Sequence, residues 1–130
     1  MKLVLLLGIL FALLDLVVKS FVSTLIPNYG IIFGLFPSLS FISILLSIFF
    51  LIVILYWSKT LHSHYTLALS FLFGGTLGNL YDRIVFGYVR DFITLCIKNL
   101  CYPSFNLADV FLVFGIILFF IYSRRRSLGT

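Results

Sequence analysis

The fold is decided by residues 3–22, LVLLLGILFALLDLVVKSFV, an apolar run whose only charged members are Asp15 and Lys19. Twenty helical residues extend about 30 Å at 1.5 Å per residue, which matches the hydrocarbon thickness of a bilayer. The run follows Met1 and Lys2 in the manner of a secretory signal. No small-residue cleavage site ends it, so we expect a retained transmembrane helix.

Three more apolar segments repeat the pattern, at residues 40–57, 65–82 and 107–122. The chain has 130 residues, of which 62% are hydrophobic, and a mean hydropathy of +1.23. A soluble domain of this size leaves too much of its surface in water to hide so much apolar material. We therefore predict an all-α membrane protein, in which residues 1–130 form a single integral membrane domain built as a four-helix transmembrane bundle.

The basic residues predict the orientation of the bundle. With four crossings, Lys2, Lys59 and residues 124–126 fall on one side, which the positive-inside rule makes cytoplasmic together with both termini. The same boundary carries interface aromatics, namely Tyr56, Trp57, Tyr65 and Tyr122. The loop histidines, His62 and His64, are expected to be solvated there. The formal charge of +5 does not imply nucleic-acid binding, because no basic face could follow a phosphate backbone.

Two segments, residues 23–39 and 83–106, remain outside the predicted helices. They combine β-branched and aromatic residues with glycines, which indicates short strands and tight turns. We expect them to form a small extracytoplasmic β-sheet. Cys96 and Cys101 lie in the second segment, where they either form a disulfide in an oxidising compartment or remain two unpaired small residues. Two cysteines without a nearby pair of histidines do not make a zinc site, so no metal or cofactor is expected.

Polar residues of three spans fall at one level of the bundle, its outer boundary. They are Asp15 and Lys19 of the first span, Asn79, Asp82 and Arg83 of the third, and Asn106 and Asp109 of the fourth. A charged group in a membrane costs roughly 2.5–3.5 kcal/mol near a helix centre on insertion scales. Such groups are therefore functional candidates.

Several of these groups also have a purely structural explanation. Asp15 and Lys19, at i and i+4, form an ion pair that fixes the helix register, or they serve a site. Asn106 is suited to a helix N-cap, and Asp82 to a local salt bridge with the next residue or to a cap. Residues 74–78, GGTLG, are best explained as a small-residue face for close helix packing.

Asp91 and Asp109 are the acids that structure alone explains least well. They flank a loop that can bring them together, and the adjacent base, Arg90, should point away from Asp91 in a strand. Two neighbouring carboxylates cannot both ionise comfortably, so one pKa rises and the pair shares a proton. Such a pair activates water with one member and protonates a carbonyl or a leaving amine with the other. The residues therefore predict an aspartyl hydrolase at the membrane surface.

The motifs around these residues resemble the bacterial lipoprotein signal peptidases, also called type II signal peptidases. The resemblance rests on residues 15–19 (DLVVK), 28–30 (NYG), 33–34 (FG), 78–83 (GNLYDR), 87–92 (GYVRDF) and 105–109 (FNLAD). It implies a four-helix membrane aspartyl endopeptidase that cuts lipid-modified prolipoproteins just before the diacylglyceryl cysteine. It also implies that Asp91 and Asp109 are the catalytic dyad.

The same resemblance assigns supporting positions and surroundings. The residues that match site-shaping or substrate-binding positions are Asp15, Lys19, Asn28, Asn79, Arg83 and Asn106. The expected partners are lipid-modified prolipoproteins and membrane lipids. The expected protein is a monomer in the bacterial inner membrane, with its site at the outer face. Ile32, where the family usually has a small residue, and Arg90, where valine is common, depart from the pattern and concern the substrate groove rather than the chemistry.

Two other classes of function fit part of the pattern. A small transporter or proton-relay subunit would use Asp15, Asp82 and Asp109 as a path. Such a relay also needs ionisable groups in the inner half of the membrane, and the sequence has none there. A non-enzymatic assembly protein would use the polar residues only to join helices. Cleavage of a lipidated precursor without a gradient or a partner separates these classes from a peptidase.

Overall fold

Four long helices account for most of the chain in the computed structural model, which describes residues 1–29 and 40–127. The helices are α1 (Lys2–Phe21), α2 (Ser40–Thr60), α3 (Thr66–Phe86) and α4 (Leu107–Ser127), and a 3-10 turn, Ser63–Tyr65, precedes α3. All four predicted spans are thus confirmed as helices. Three of them continue three to five residues past the predicted apolar limit. The added residues are polar in α2 (58–60) and α4 (123–127), whereas α3 adds Arg83 and three apolar residues.

Three of the helices are long and apolar enough to cross a membrane by length and composition: α1, α2 over Phe41–Thr60, and α4 over Leu107–Arg125. The remaining helix, α3, carries small and polar residues and packs against each of the other three. Its polar groups are therefore shielded from lipid, which is the condition under which a membrane helix tolerates them. The result is a four-helix membrane bundle with α3 at its centre.

Helix α1 shows how the sequence creates a packing face. Its buried residues are Val4, Gly8, Ala12, Asp15 and Lys19, which recur every three or four positions along one stripe. The opposite side carries exposed large apolar residues such as Leu6, Leu10, Leu13 and Val17. A stripe of small and charged residues inside, with leucines outside, is the inverse of a soluble helix and suits a lipid environment.

Glycines in α3 allow its neighbours to approach closely. A Cβ atom at Gly78 would lie 2.8 Å from Asp15 Oδ2, and one at Gly75 would lie 2.5 Å from the carbonyl oxygen of Ala108. Both distances are shorter than a van der Waals contact permits. With larger residues at these two positions of α3, helices α1 and α4 could not lie as close to it as they do. The interpretation of residues 74–78 as a small-residue packing face is confirmed.

Short strands lie at one end of the bundle, in the segments predicted to be extended. Strand β1 (Ile26–Asn28) pairs antiparallel with β2 (Val89–Asp91), and β3 (Cys96–Ile97) pairs with β4 (Leu100–Cys101). The predicted sheet is therefore present as two separate two-stranded ladders. The expected strand or turn character of residues 30–36, including Ile32, lies outside the described residues.

A disulfide closes the hairpin formed by β3 and β4. Cys96 and Cys101 are directly opposite in the β3–β4 register and are joined by an S–S bond. Of the two alternatives that the sequence leaves open, the structure has the bonded one. Hairpin residues Ile97 and Leu100 are 80% and 82% exposed, so the disulfide, and not burial, holds this hairpin together.

Candidate active site

Asp109 is held at the first turn of α4 by a reciprocal cap. The side-chain oxygen of Asn106 accepts a hydrogen bond from the Asp109 backbone N–H at 3.0 Å, and Asp109 Oδ2 accepts one from the Asn106 backbone N–H at 3.2 Å. This is the geometry of a capping box, with aspartate in the position usually held by glutamate. Asn106 is therefore an N-cap, as one of the sequence interpretations has it, and the cap fixes the carboxylate of Asp109.

The Asn106 side chain also reaches Asp91, which ends strand β2. Its amide nitrogen lies 2.7 Å from Asp91 Oδ1 and 3.0 Å from Asn79 Oδ1, and the amide of Asn79 donates to Asp109 Oδ1 at 2.8 Å. Two asparagine side chains thus join the two carboxylates in one hydrogen-bonded network. Residues that are 18 positions apart in the sequence, 91 and 109, are brought into one site by a strand end and a helix start.

Asp91 is the more enclosed of the two acids. Its side chain is 1% exposed, and Asn28 on β1 donates to its Oδ2 at 2.9 Å. The pKa of Asp91 is raised to about 6, and burial is the main cause. The nearby charge of Asp109 acts in the same direction, whereas the amide donors of Asn28 and Asn106 lower the pKa. A carboxyl with this pKa can carry a proton close to neutral pH.

Lys19 is buried behind these acids as the centre of an ion network. Its ammonium lies 2.6 Å from Asp15 Oδ2 and 2.9 Å from Asp82 Oδ2, and it reaches Asn79 Oδ1 at 3.5 Å. Asp15 in turn accepts a hydrogen bond from the backbone N–H of Ala108 at 2.9 Å. Asp15 and Lys19 therefore form the predicted ion pair and, at the same time, support the start of α4 and the residues around the dyad.

The interpretation of Asp82 as a local salt bridge with Arg83, or as a cap, is wrong. Asp82 pairs with Lys19 of α1 and with Arg90 of β2 instead. Consecutive residues on a helix point about 100° apart, so Asp82 faces α1 and β2 while Arg83 faces another direction. Arg83 donates weakly to the carbonyl oxygen of Asn79, at 3.4 Å.

Arg90 is the residue whose importance the sequence does not reveal. Its side chain points away from Asp91, as strand alternation predicts, and that direction carries it to Asp82. The sequence feature that could have indicated this pair is a basic residue, Arg90, beside a strand end and an acidic residue, Asp82, about one turn before the end of the preceding helix. Their meeting depends on how β2 folds back on α3.

A cavity of about 620 Å³ lies between α2, α3 and α4. Its polar end is lined by Asn28, Asn79, Arg83 and Asp109, and its walls are mainly apolar. Asp109 is half-buried and faces this space, whereas Asp91 lies behind it. The arrangement offers one carboxylate to a bound molecule and keeps the other enclosed.

Hydroxyl groups in the apolar part of this cavity were not singled out from the sequence. They belong to Ser43 and Ser47 of α2 and to Thr76 of α3. The hydroxyl of Ser47 donates to the Ser43 carbonyl, and that of Thr76 donates to the Leu72 carbonyl, so both are satisfied within their own helices. They widen the cavity where leucine or phenylalanine would fill it. The sequence signal is a small hydroxyl residue inside an apolar run.

Of the predicted site residues, the structure brings together all eight: Asp15, Lys19, Asn28, Asn79, Arg83, Asp91, Asn106 and Asp109. Within residues 1–29 and 40–127, no group of three or more histidine, cysteine, aspartate or glutamate side chains is arranged to hold a metal ion.

Comparison with known proteins gives consistent findings. The sequence model of the family described as Signal peptidase (SPase) II matches residues 4–125. The lipoprotein signal peptidase of Clostridium novyi (strain NT) is 34% identical over 116 residues, which cover 85% of this chain and 78% of that protein. The lipoprotein signal peptidase of Wigglesworthia glossinidia brevipalpis is 40% identical over 109 residues, covering 78% and 69%.

Two solved structures have the same fold, each described as a bacterial membrane enzyme. The first has a TM-score of 0.88 and 25% sequence identity, covering 100% of this chain and 92% of that one. The second has a TM-score of 0.81 and 26% identity, covering 94% and 92%. The similarity includes the helices and the strands that carry the candidate site.

Proposed function

The chain belongs to the signal peptidase II family, and from this membership we propose that it is a membrane aspartyl endopeptidase that removes the signal peptide from lipid-modified prolipoproteins. The family membership makes it a protease of bacterial membranes. The curated relatives that it matches are named lipoprotein signal peptidases. The observation that carries the proposed catalytic type is the network of two amides joining Asp91 to Asp109 at the end of a cavity inside the bundle.

In the proposed reaction the two aspartates have different roles. Asp91, with its pKa raised to about 6, holds the shared proton. Asp109 faces the cavity as a carboxylate and takes a proton from a water molecule as that water attacks the scissile carbonyl carbon. Asp91 gives its proton to the carbonyl oxygen, which produces a neutral tetrahedral diol. Collapse of the diol breaks the C–N bond as the proton on Asp109 passes to the leaving amine. One diol hydroxyl returns its proton to Asp91, which restores the starting protonation of both aspartates.

Asn79 and Arg83 support this chemistry in different ways. The amide of Asn79 holds Asp109 in place, and Lys19 fixes Asn79 from behind. Arg83 lines the cavity, so its positive charge borders the space in which the carbonyl or ester oxygens of a bound substrate would lie. Asn28 and Asn106 keep Asp91 oriented. Each of these residues matches a supporting position of the family, and its proposed role follows from the contacts that it makes in this chain.

The cavity has the size and lining expected for the proposed substrate. A volume of about 620 Å³ lies within the usual range of roughly 300–1,000 Å³ for ligand sites. The signal helix would enter sideways between the helices, with its acyl chains remaining in lipid. Its scissile peptide would unwind beside Asp109, since irregular backbone at membrane depth is tolerated only against protein or water. The cut falls just before the lipid-modified cysteine.

The proposed orientation has both termini in the cytoplasm and the site at the outer face of the inner membrane. The amino group of Met1 lies 3.3 Å from the carbonyl oxygen of Ser58, so the start of α1 and the end of α2 adjoin. Lys2 and Lys59 therefore lie at the same end, opposite Asp91. The positive-inside rule favours the cytoplasm for that end. We also propose that the chain is a single membrane domain that works as a monomer.

A proton relay receives no support from the placement of the acids. In the part of the chain that the structure describes, the buried charged residues are Asp15, Lys19, Asp82 and Asp91, and all belong to one end of the bundle. A relay requires such groups at successive depths. The clustering at one level favours a single chemical site.

The proposal is tested with purified protein in lipid nanodiscs, without a gradient or a partner. The substrate is a diacylglyceryl-modified precursor peptide, and the controls are the same peptide without lipid and a peptide with serine in place of the modified cysteine. Mass spectrometry should find a single cut before the lipidated cysteine and little or no product from the controls. No cleavage, or equal cleavage of all three peptides, would contradict the proposed function.

A further inference from the structure

We propose that Arg90 is a positioning residue that holds Asp91 in the dyad by fixing strand β2 to helix α3. The inference rests on the proposed function because its test measures cleavage of the precursor. The contacts of Arg90 from which it is argued do not depend on that function. Neither the family name nor the resemblance assigns a role to this residue, since valine is common at its position. Three hydrogen bonds from Arg90 to one buried carboxylate, that of Asp82, carry the inference.

Strand β2 is too short to be held by sheet pairing alone. It has three residues and pairs on one edge with the three residues of β1. The partner opposite Arg90 is Pro27, which has no backbone N–H to donate. An isolated ladder of this length is marginally stable. The chain just after β2 is anchored by the backbone N–H groups of Phe92 and Ile93, which donate to the carbonyl oxygen of Phe105. The attachment of β2 to helix α3 is a separate contact, and Arg90 makes it.

Asp82 provides that contact through both the backbone and the side chain of Arg90. The backbone N–H of Arg90 donates to Asp82 Oδ2 at 3.0 Å, while its Nε and Nη2 atoms lie 3.1 Å and 2.8 Å from Asp82 Oδ1. The guanidinium also lies 4.3 Å from the centre of the Phe86 ring. Only arginine presents a planar fork that can satisfy a carboxylate and stack on a ring together. The strand is therefore fixed one residue before Asp91.

The same contact balances the charge of the buried network. Asp82 is fully buried and also binds Lys19, which in turn binds Asp15. With Arg90 the network has two acids and two bases. Without the guanidinium it would hold one uncompensated negative charge, and Lys19 would be drawn toward Asp82 and away from Asn79, the residue that holds Asp109. Removal of Arg90 would thus disturb both aspartates.

Arg90 is not placed to bind substrate. Its side chain leaves β2 on the side opposite Asp91, and it is absent from the lining of the cavity. Its loss should therefore lower the rate of the chemical step and leave substrate binding nearly unchanged. A misplacement of about 1 Å in a reacting group can reduce the rate by roughly 100-fold.

The experiment compares Arg90→Gln, Arg90→Lys and the matched control Lys98→Gln, which removes a positive charge from the exposed turn between β3 and β4. Cleavage of the lipidated precursor in nanodiscs gives kcat and KM for each folded variant. We expect Arg90→Gln to lower kcat roughly 10- to 100-fold with KM within about twofold of the starting protein. Arg90→Lys, which keeps the charge without the fork, should lose roughly 3- to 10-fold. Lys98→Gln should change neither constant.

Each outcome decides between explanations. A folded Arg90→Gln protein with unchanged kcat overturns the inference, and so does a raised KM with unchanged kcat, which would make Arg90 a substrate contact. If Arg90→Gln does not fold, Arg90→Lys decides, because a folded lysine variant with full kcat also overturns the role of the fork. If the unmodified protein does not cleave the precursor, the proposed function fails, independently of Arg90.

Discussion

Replacing Asn28 with alanine should move the pH dependence of cleavage in a direction that the site geometry determines. The Asn28 amide donates to Asp91 Oδ2 at 2.9 Å and thereby favours the ionised carboxylate. Removing this donor makes ionisation harder, so the pKa of Asp91 rises above about 6. Because the proposed chemistry needs Asp91 protonated, the alkaline limb of the pH profile should move upward.

The size of the change follows from the strength of the lost bond. A hydrogen bond to a charged group contributes about 1.5–3 kcal/mol, which corresponds to about one to two pH units in the pKa. Asn28 is only half-buried, so water can replace part of the bond and the lower value is expected. With a pKa of about 6, kcat/KM should fall roughly 50-fold between pH 6 and pH 8. With a pKa near 7 it should fall only about 10-fold over the same range.

The assay is the pH profile of kcat/KM for a lipidated precursor in nanodiscs, since this constant reports the free enzyme. Asn99→Ala, in the exposed turn between β3 and β4, is the matched control and should keep the original profile. Asn28 also lines the cavity, so the absolute rate of Asn28→Ala can fall at every pH without moving the limb. An unchanged or downward-shifted alkaline limb would refute the assigned role of the Asn28 donor and the identification of Asp91 as the proton-bearing acid.

Two further substitutions test the framework around the site. Gly75→Ala would place a Cβ 2.5 Å from the backbone carbonyl oxygen of Ala108. This clash should destabilise the protein by about 1–3 kcal/mol. An unchanged thermal unfolding midpoint would contradict the close packing of α3 and α4. Cys96→Ser opens the Cys96–Cys101 loop, which should lower the free energy of local hairpin opening by about 2 kcal/mol and speed amide exchange there roughly 30-fold. Cleavage should persist in that variant because neither cysteine lines the cavity, and loss of activity would give the hairpin a role that its exposure does not indicate.

The helices were predictable because membrane spans have a strong and local signature. Their starts differ from the apolar runs by at most one residue, while the ends of α2, α3 and α4 extend three to five residues further. The level at which the polar groups meet was also predictable, since 1.5 Å per residue fixes depth along each helix. For the same reason Asn79, Asn106 and Asp109 could be grouped before any contact was known.

Other parts of the site depend on tertiary contacts that no local pattern contains. Asp82 and Arg83 are neighbours in sequence but point to different elements. Asp82 pairs with Arg90 because strand β2 returns alongside helix α3. Similarly, the bond between Cys96 and Cys101 follows from a hairpin register that leaves the two residues opposite each other. Sequence spacing alone allowed that register without requiring it.

The most direct test of the central claim is cleavage by Asp91→Asn and Asp109→Asn. Each variant is purified, shown to be inserted and folded in nanodiscs, and compared with the exposed control Lys98→Gln on the lipidated precursor. The proposed dyad predicts a loss of at least about 10⁴-fold in kcat for each aspartate variant, with the double variant little worse than either single one, because the two residues act as a unit. Processing of the precursor at a normal rate by either single variant would contradict the account.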